Sequence, residues 1–155
     1  MLYSLHNSQK LPITQEQAWS FFSDPKNLNT ITPDSMKFVT LSGDERKMFQ
    51  GQIIYYKISP FPFVSMQWVT EITHVETNSF FVDEQRFGPY KFWHHKHFFT
   101  PIANGVFMED IVHYKLPFGF LGRLFHTMIV RPKLNEIFAF RTQKLTALFG
   151  TYNES

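Results

Sequence analysis

The chain contains no cysteine. That excludes a disulfide framework, a thiol nucleophile and any thiolate-held metal, and it fits a reducing compartment. No apolar run approaches the roughly 20 residues of a membrane span. Met1-Leu2-Tyr3-Ser4-Leu5-His6 lacks a basic region leading into an apolar stretch, so it does not read as a secretory signal, and a cytoplasmic location is expected. Strong charge is missing too: the net charge is +2 and the pI near 8.8. With no Lys/Arg run and no aromatic-interleaved basic stretch, nucleic acid is not an expected partner. There is no Gly-rich phosphate loop, nucleophile elbow or HExxH helix, which leaves kinase, classical hydrolase and zinc-protease readings without support. No repeat, low-complexity tract or linker interrupts the chain.

What is abundant is phenylalanine, 19 of 155 residues. Large rigid rings suit a thick core or the wall of an apolar pocket. The length suffices for one domain with its own core; residues 1–150 read as that domain and 151–155 as a tail.

Residues 2–11 read as a strand that Pro12 ends. Thr14-Gln15-Glu16-Gln17 has the form of a capping box, and Ala18, Trp19, Phe21 and Phe22 give the short helix that follows an apolar face. Asp24-Pro25 stops it, and Leu28 to Ile31 can add a second short helical turn. From Met36 to Leu116 the pattern is six strands, at 36–41, 51–59, 63–75, 78–87, 90–101 and 104–115, rich in aromatic and β-branched residues. Turn chemistry separates them at Gly43-Asp44, Ser59-Pro60, Thr77-Asn78, Gly88-Pro89 and Asn104-Gly105, so sequential antiparallel hairpins are expected. Apolar residues then recur at helical spacing from Phe120 to Phe149, with Pro132 placed to kink or divide that helix and Gly150 to end it. The resulting fold class is α+β: seven antiparallel strands curved around one long C-terminal helix, with two short helices after the first strand. The gap between such a sheet and helix is the natural ligand site.

Two motifs fall where that gap would lie. In Trp93-x-His95-x-His97-x-Phe99, residues two apart share one strand face, giving an aromatic face dotted with imidazoles. A solvent face rarely holds Trp and Phe, and an ordinary core rarely holds two imidazoles. In Asp110-x-Val112-x-Tyr114, a turn near Asn104 sets His97 opposite Asp110, His95 opposite Val112 and Trp93 opposite Tyr114. Asp83 and Gln85 share a face, while Glu84 and Arg86 look like a solvated ion pair. Arg141 reads as a helix-end or surface ion pair. Phe118 and Phe120, in the glycine-containing corner before the last helix, could close a pocket mouth or fill a core corner. Ser59-Pro60-Phe61-Pro62-Phe63 reads as an apolar hairpin tip that could form a rim or touch a membrane transiently.

In order along the chain, Trp19-x-Phe21-Phe22-x-x-Pro25-x-x-Leu28, Ile31-Thr32-Pro33, Phe81-x-Asp83-x-Gln85-x-x-Gly88-Pro89-Tyr90, the Trp93–Phe99 motif, Tyr114-x-x-Pro117-Phe118-Gly119 and Ile137-Phe138-x-x-Arg141 resemble the SRPBCC, or START-like, superfamily. Its helix-grip proteins include the birch pollen allergen, and the chain looks most like its bacterial ligand-binding, polyketide cyclase/dehydrase-like group. The resemblance implies a deep cavity that takes a small hydrophobic molecule such as a lipid or polyketide. It also implies that Asp83 and Gln85 face inward.

The ligand-contact set expected is Asp83, Gln85, Trp93, His95, His97, Phe99, Asp110, Tyr114, Phe118 and Phe120. Three readings of the imidazoles stay open: pocket lining without chemistry, general acid–base work by His95 or His97 with Asp83 or Asp110, and a polar cluster with no ligand. An interaction module whose cavity is filled by Phe and Met is a further alternative. His94, His95 and His97 with Asp110 also suggest a metal site; His94 points to the opposite face, but two imidazoles two apart with that carboxylate could ligate zinc, though the spacing is common by chance. No metal and no cofactor is expected.

Overall fold

A computed structural model describes residues 1–117 and 119–154. The order is β1 (Tyr3–Leu11), α1 (Gln15–Phe22), 3-10 helices at Pro25–Ile31 and Asp34–Met36, then β2 (Val39–Ser42), β3 (Ile53–Phe61), β4 (Val64–Glu76), β5 (Phe80–Phe87), β6 (Phe92–Ile102) and β7 (Gly105–Lys115). α2 (Gly119–Phe125), a π-helical turn (His126–Val130) and α3 (Arg131–Phe149) follow. The strands form one antiparallel sheet in the order β1-β7-β6-β5-β4-β3-β2. Five of its six pairings join consecutive strands, as the short turns predict; the sixth brings β1 back beside β7, with Leu5 opposite Val112. This is the expected α+β helix-grip architecture.

Local chemistry explains most boundaries. The Thr14 hydroxyl accepts from the Gln17 backbone N–H at 3.2 Å while the Gln17 side chain accepts from the Thr14 N–H at 2.9 Å, so the capping box is complete. The second helical turn is a 3-10 helix capped by Asp24, with Pro25 at its start. Met36, expected in a strand, instead closes the next 3-10 turn, its N–H bonded to Pro33 O at 2.9 Å; Lys37 then takes a left-handed conformation, and β2 starts only at Val39. β3 runs past Ser59-Pro60 to Phe61, because a register shift between Ile58 and Phe61 accommodates the proline. The turn is therefore Pro62-Phe63, with Phe63 at φ 64° and fully exposed.

Pro132 lies in the first turn of α3, and the expected division falls at the π turn just before it. No helix among the described residues is long and apolar enough to cross a membrane.

Inward residues alternate from Trp93 to Phe99 in β6 and along all of β7. They feed two packed regions. One gathers Leu11, Phe22, Phe99, Met108 and Leu145 under α1; the other gathers Trp93, Val112, Tyr114, Leu134 and Phe138 under the first half of α3. Gln9 in β1 donates to Thr142 O and Thr146 Oγ1, tying the edge strand to α3.

Thr14→Ala removes the cap and should lower the free energy of unfolding by about 1 kcal/mol. Urea denaturation should find this as a lower midpoint at unchanged slope.

Candidate functional site

Between the concave sheet face and the helices lies a cavity of about 450 Å³. Its walls are overwhelmingly apolar, with Phe22, Ile58, Trp68, Phe81, Trp93 and Leu134 among them. Phe61 and Phe125 also line it and are 40% and 55% exposed, so they mark where it opens. The alternative of a cavity filled by Phe and Met therefore lacks its distinguishing feature.

One polar cluster is built into this wall. The β6–β7 register pairs His97 with Asp110, His95 with Val112 and Trp93 with Tyr114, as the sequence predicts. β5 lies on the other side of β6, with Asp83 opposite His95. The two imidazoles on the middle strand are thus flanked by a carboxylate from each neighbour. Their hydrogen bonds run diagonally: His95 Nε2 donates to Asp110 Oδ1 at 2.9 Å, and His97 Nε2 to Asp83 Oδ2 at 2.7 Å. The expected His97–Asp110 pair survives only as a 3.0 Å ion-pair approach by Nδ1, which is not aligned as a hydrogen bond. The rings lie 3.7 Å apart between centroids.

Arg141 completes the cluster and corrects its own expectation. It is buried, with Nη1 3.2 Å from Asp110 Oδ1 and the guanidinium packed over the rings of Phe22 and Phe138. Its place in the buried row Leu134, Phe138, Arg141, Leu145, spaced by four, three and four, was the available signal.

Burial opposes charge throughout this set, and the neighbours decide the outcome. Arg141 leads the opposing contributions at Asp110, with His95 and His97 behind it, and holds the carboxyl well below its usual range. His95 and His97 likewise keep Asp83 low. At His97 the flanking Asp110 and Asp83 outweigh burial and raise the pKa; at His95 burial and the adjacent His97 win and lower it. Of the two rings, His97 is the one its surroundings favour as the cation and His95 the one they favour as neutral.

Other sequence candidates sit elsewhere. Gln85 does not line the cavity: it clamps the β5–β6 connection, donating to Tyr90 O at 2.7 Å and accepting from Tyr90 N at 3.1 Å. Phe99 packs in the core against Trp19 and Phe22. Asp110 is fully buried behind the imidazoles, and the Tyr114 hydroxyl is paired with His126 Nε2 at 2.8 Å. Phe120 is 74% exposed and outside the lining, and Phe118 lies outside the described residues. Asp83, Trp93, His95 and His97 do face the cavity. Glu84 and Arg86 pair as expected, joined by Glu71, and His94 turns away to Glu84. His126, stacked on Tyr3, escaped sequence reading because the π turn breaks the 3.6-residue period that would reveal an inward position.

The same fold recurs in solved structures. A protein from Chromobacterium violaceum matches at a TM-score of 0.72 and 14% identity, over 97% of this chain and 99% of that one. Major latex-like protein 151 from Panax ginseng matches at 0.69 and 11%, over 96% and 97%. Truncated norcoclaurine synthase from Thalictrum flavum matches at 0.68 and 12%, over 96% and 93%. The chain shares the helix-grip fold of these proteins. At these identities the likeness is one of fold alone. No family model matches the chain, and no curated protein matches it.

Two predictions follow from the helix-grip cluster. Arg141→Met strands a buried carboxylate and should destabilise by about 3–5 kcal/mol, with much of the loss recovered in Arg141→Met/Asp110→Asn, read by chemical denaturation. The second concerns pH. His97, with its raised pKa, contributes stability that is complete below 6.5 and lost as pH rises through its folded value. His95, with its lowered pKa, costs stability as pH falls below 6.5, and the two aspartates add to the acid loss below 3.8. The melting temperature should therefore peak near pH 6.5. His97→Gln should flatten the alkaline decline, and His95→Gln the decline just below the peak.

Proposed function

We propose that the protein binds a small hydrophobic or aromatic molecule carrying one polar group. The observation that carries this reading is a largely apolar cavity with the buried Asp83, His95 and His97 cluster set into its wall. Its volume lies within the roughly 300–1,000 Å³ of small-molecule sites. Burial of the ligand's apolar surface supplies affinity, at about 25 cal/mol per Å² before the costs of association. Asp83, His95 and His97 orient the polar end, Asp110 acts behind them by fixing the rings, and Arg141 holds Asp110 in place. Exposed Phe63 on the β3–β4 tip and Phe120 in α2 are suited to brief contact with a lipid surface during loading.

A second reading is favoured by one detail. His95 donates from Nε2 to Asp110, leaving a neutral ring a lone pair on Nδ1, while the adjacent His97 is shifted toward its protonated form by the two carboxylates beside it. Neighbouring groups whose pKa values are pushed apart suit general base and general acid. Cyclisation or dehydration of a polyketide-like substrate in a cyclase/dehydrase-like protein is the matching reaction class. A pH–rate profile that keeps its imidazole limb in both His→Gln variants would exclude it.

Mass spectrometry of an organic extract from denatured protein, against a mock purification, tests the binding reading; a stoichiometric small molecule is expected. Against a panel of hydrophobic probes, His97→Phe should weaken polar-headed compounds more than plain hydrocarbons. Equal losses would remove the orienting role of His97.

A further inference from the structure

We propose that Asp83, His95 and His97 form a binding site for a first-row divalent transition ion such as zinc or iron(II), open to the cavity. Each residue offers one ligand atom, and the three atoms lie within 4.8 Å of one another. Asp83 Oδ2 stands 2.7 Å from His97 Nε2 and 3.5 Å from His95 Nδ1. Tetrahedral donors at zinc–ligand lengths of about 2.0–2.1 Å sit about 3.3 Å apart, so these separations bracket what an ion needs. Binding requires the His97–Asp83 contact to open by less than an ångström and the proton between them to leave.

The outer surroundings are already those of a metal site. Ligating imidazoles are oriented by a carboxylate on their other nitrogen. Here a single buried oxygen, Asp110 Oδ1, stands 2.9 Å from His95 Nε2 and 3.0 Å from His97 Nδ1. His97 Nδ1 and Asp110 Oδ2 are buried without a hydrogen-bond partner, and a small turn of the His97 ring on metal binding would align its N–H with Asp110. Arg141 occupies Asp110, which leaves Asp83, on the cavity side, as the carboxylate able to take an ion.

Charge points the same way. With both imidazoles neutral, Asp83 and Asp110 against Arg141 leave one net negative charge in a buried setting. A proton on His97 balances it in the absence of another cation; a divalent ion carrying one anionic ligand balances it equally. Two imidazoles and one carboxylate select zinc, iron or cobalt over magnesium or calcium, which prefer all-oxygen shells. All three residues line the cavity, so the remaining coordination positions face the space where a cavity ligand would lie. The set differs from the one the sequence suggests, because β5 supplies the carboxylate.

The test uses full-length, tag-free protein, stripped with chelator and freed of any cavity ligand. Titration with Co²⁺ should give a one-to-one complex with a visible d–d band. Asp83→Asn and His97→Gln should weaken it about 100-fold or more, while His94→Gln, on the opposite face, should leave it unchanged. On the wild type, Zn²⁺ should shift the ring nitrogens of His95 and His97 in ¹⁵N NMR and leave His6, His74, His94 and His113 in place, which decides the matter even if a variant fails to fold. Absence of a stoichiometric complex, binding that persists in folded Asp83→Asn, or shifts at surface histidines only would overturn the site. None of these outcomes depends on whether the cavity holds an organic ligand.

Discussion

A carboxylate with no access to water organises the centre of this protein. Asp110 is fully buried and ionised, a state that costs several kcal/mol unless it is met by charge and hydrogen bonds. One of its oxygens draws in three partners: His95, His97 and Arg141. Those contacts fix the imidazoles of β6, draw the guanidinium of α3 down onto the sheet, and set the distance between helix and strands at that level. The apolar packing on either side, under Phe99 and under Phe138, then closes around a polar post.

The cavity follows from that geometry and from the shape of the sheet. Close packing is kept where α1 meets β6 and where α3 meets Trp93 and Tyr114. Between those regions the curved sheet stands away from the helix, and the rings of Phe81, Trp68 and Trp93 form walls, Trp68 set edge-on against Trp93. The space is largely apolar because much of its wall comes from strand positions that alternate inward, and the sheet wall is polar where two of those positions are histidine.

Much of this was legible in the chain. The alternation in Trp93-x-His95-x-His97-x-Phe99, the turn at Asn104-Gly105 and the β6–β7 register all follow from period and turn chemistry alone. The capping box at Thr14 was equally explicit. Other features depended on three dimensions. Which nitrogen of which ring meets which carboxylate is a matter of side-chain angles, so the diagonal bonding to Asp83 and Asp110 could not be read from register. Gln85 shares the inward parity of Asp83, yet the sharp turn at Gly88 brings the Tyr90 backbone to it and takes up both ends of its amide. Arg141 was misjudged because charge argues for the surface, whereas its partner arrives from a strand 31 positions earlier. The π turn hid His126 by shifting the phase of the helix.

The pairing of β1 with β7 has a bearing on how the protein is made. Tyr3 lies opposite Tyr114, and Gln9 reaches residues of α3. During synthesis β1 leaves the ribosome before the rest of this sheet, yet its sheet partner emerges about a hundred residues later, and its helical anchor later still. The intervening hairpins can form as they appear, but the first strand must wait with both edges unpaired. The cavity, roofed by α3, cannot retain a guest before that helix docks. Whatever occupies it is therefore taken up by a finished fold rather than wrapped by a growing one.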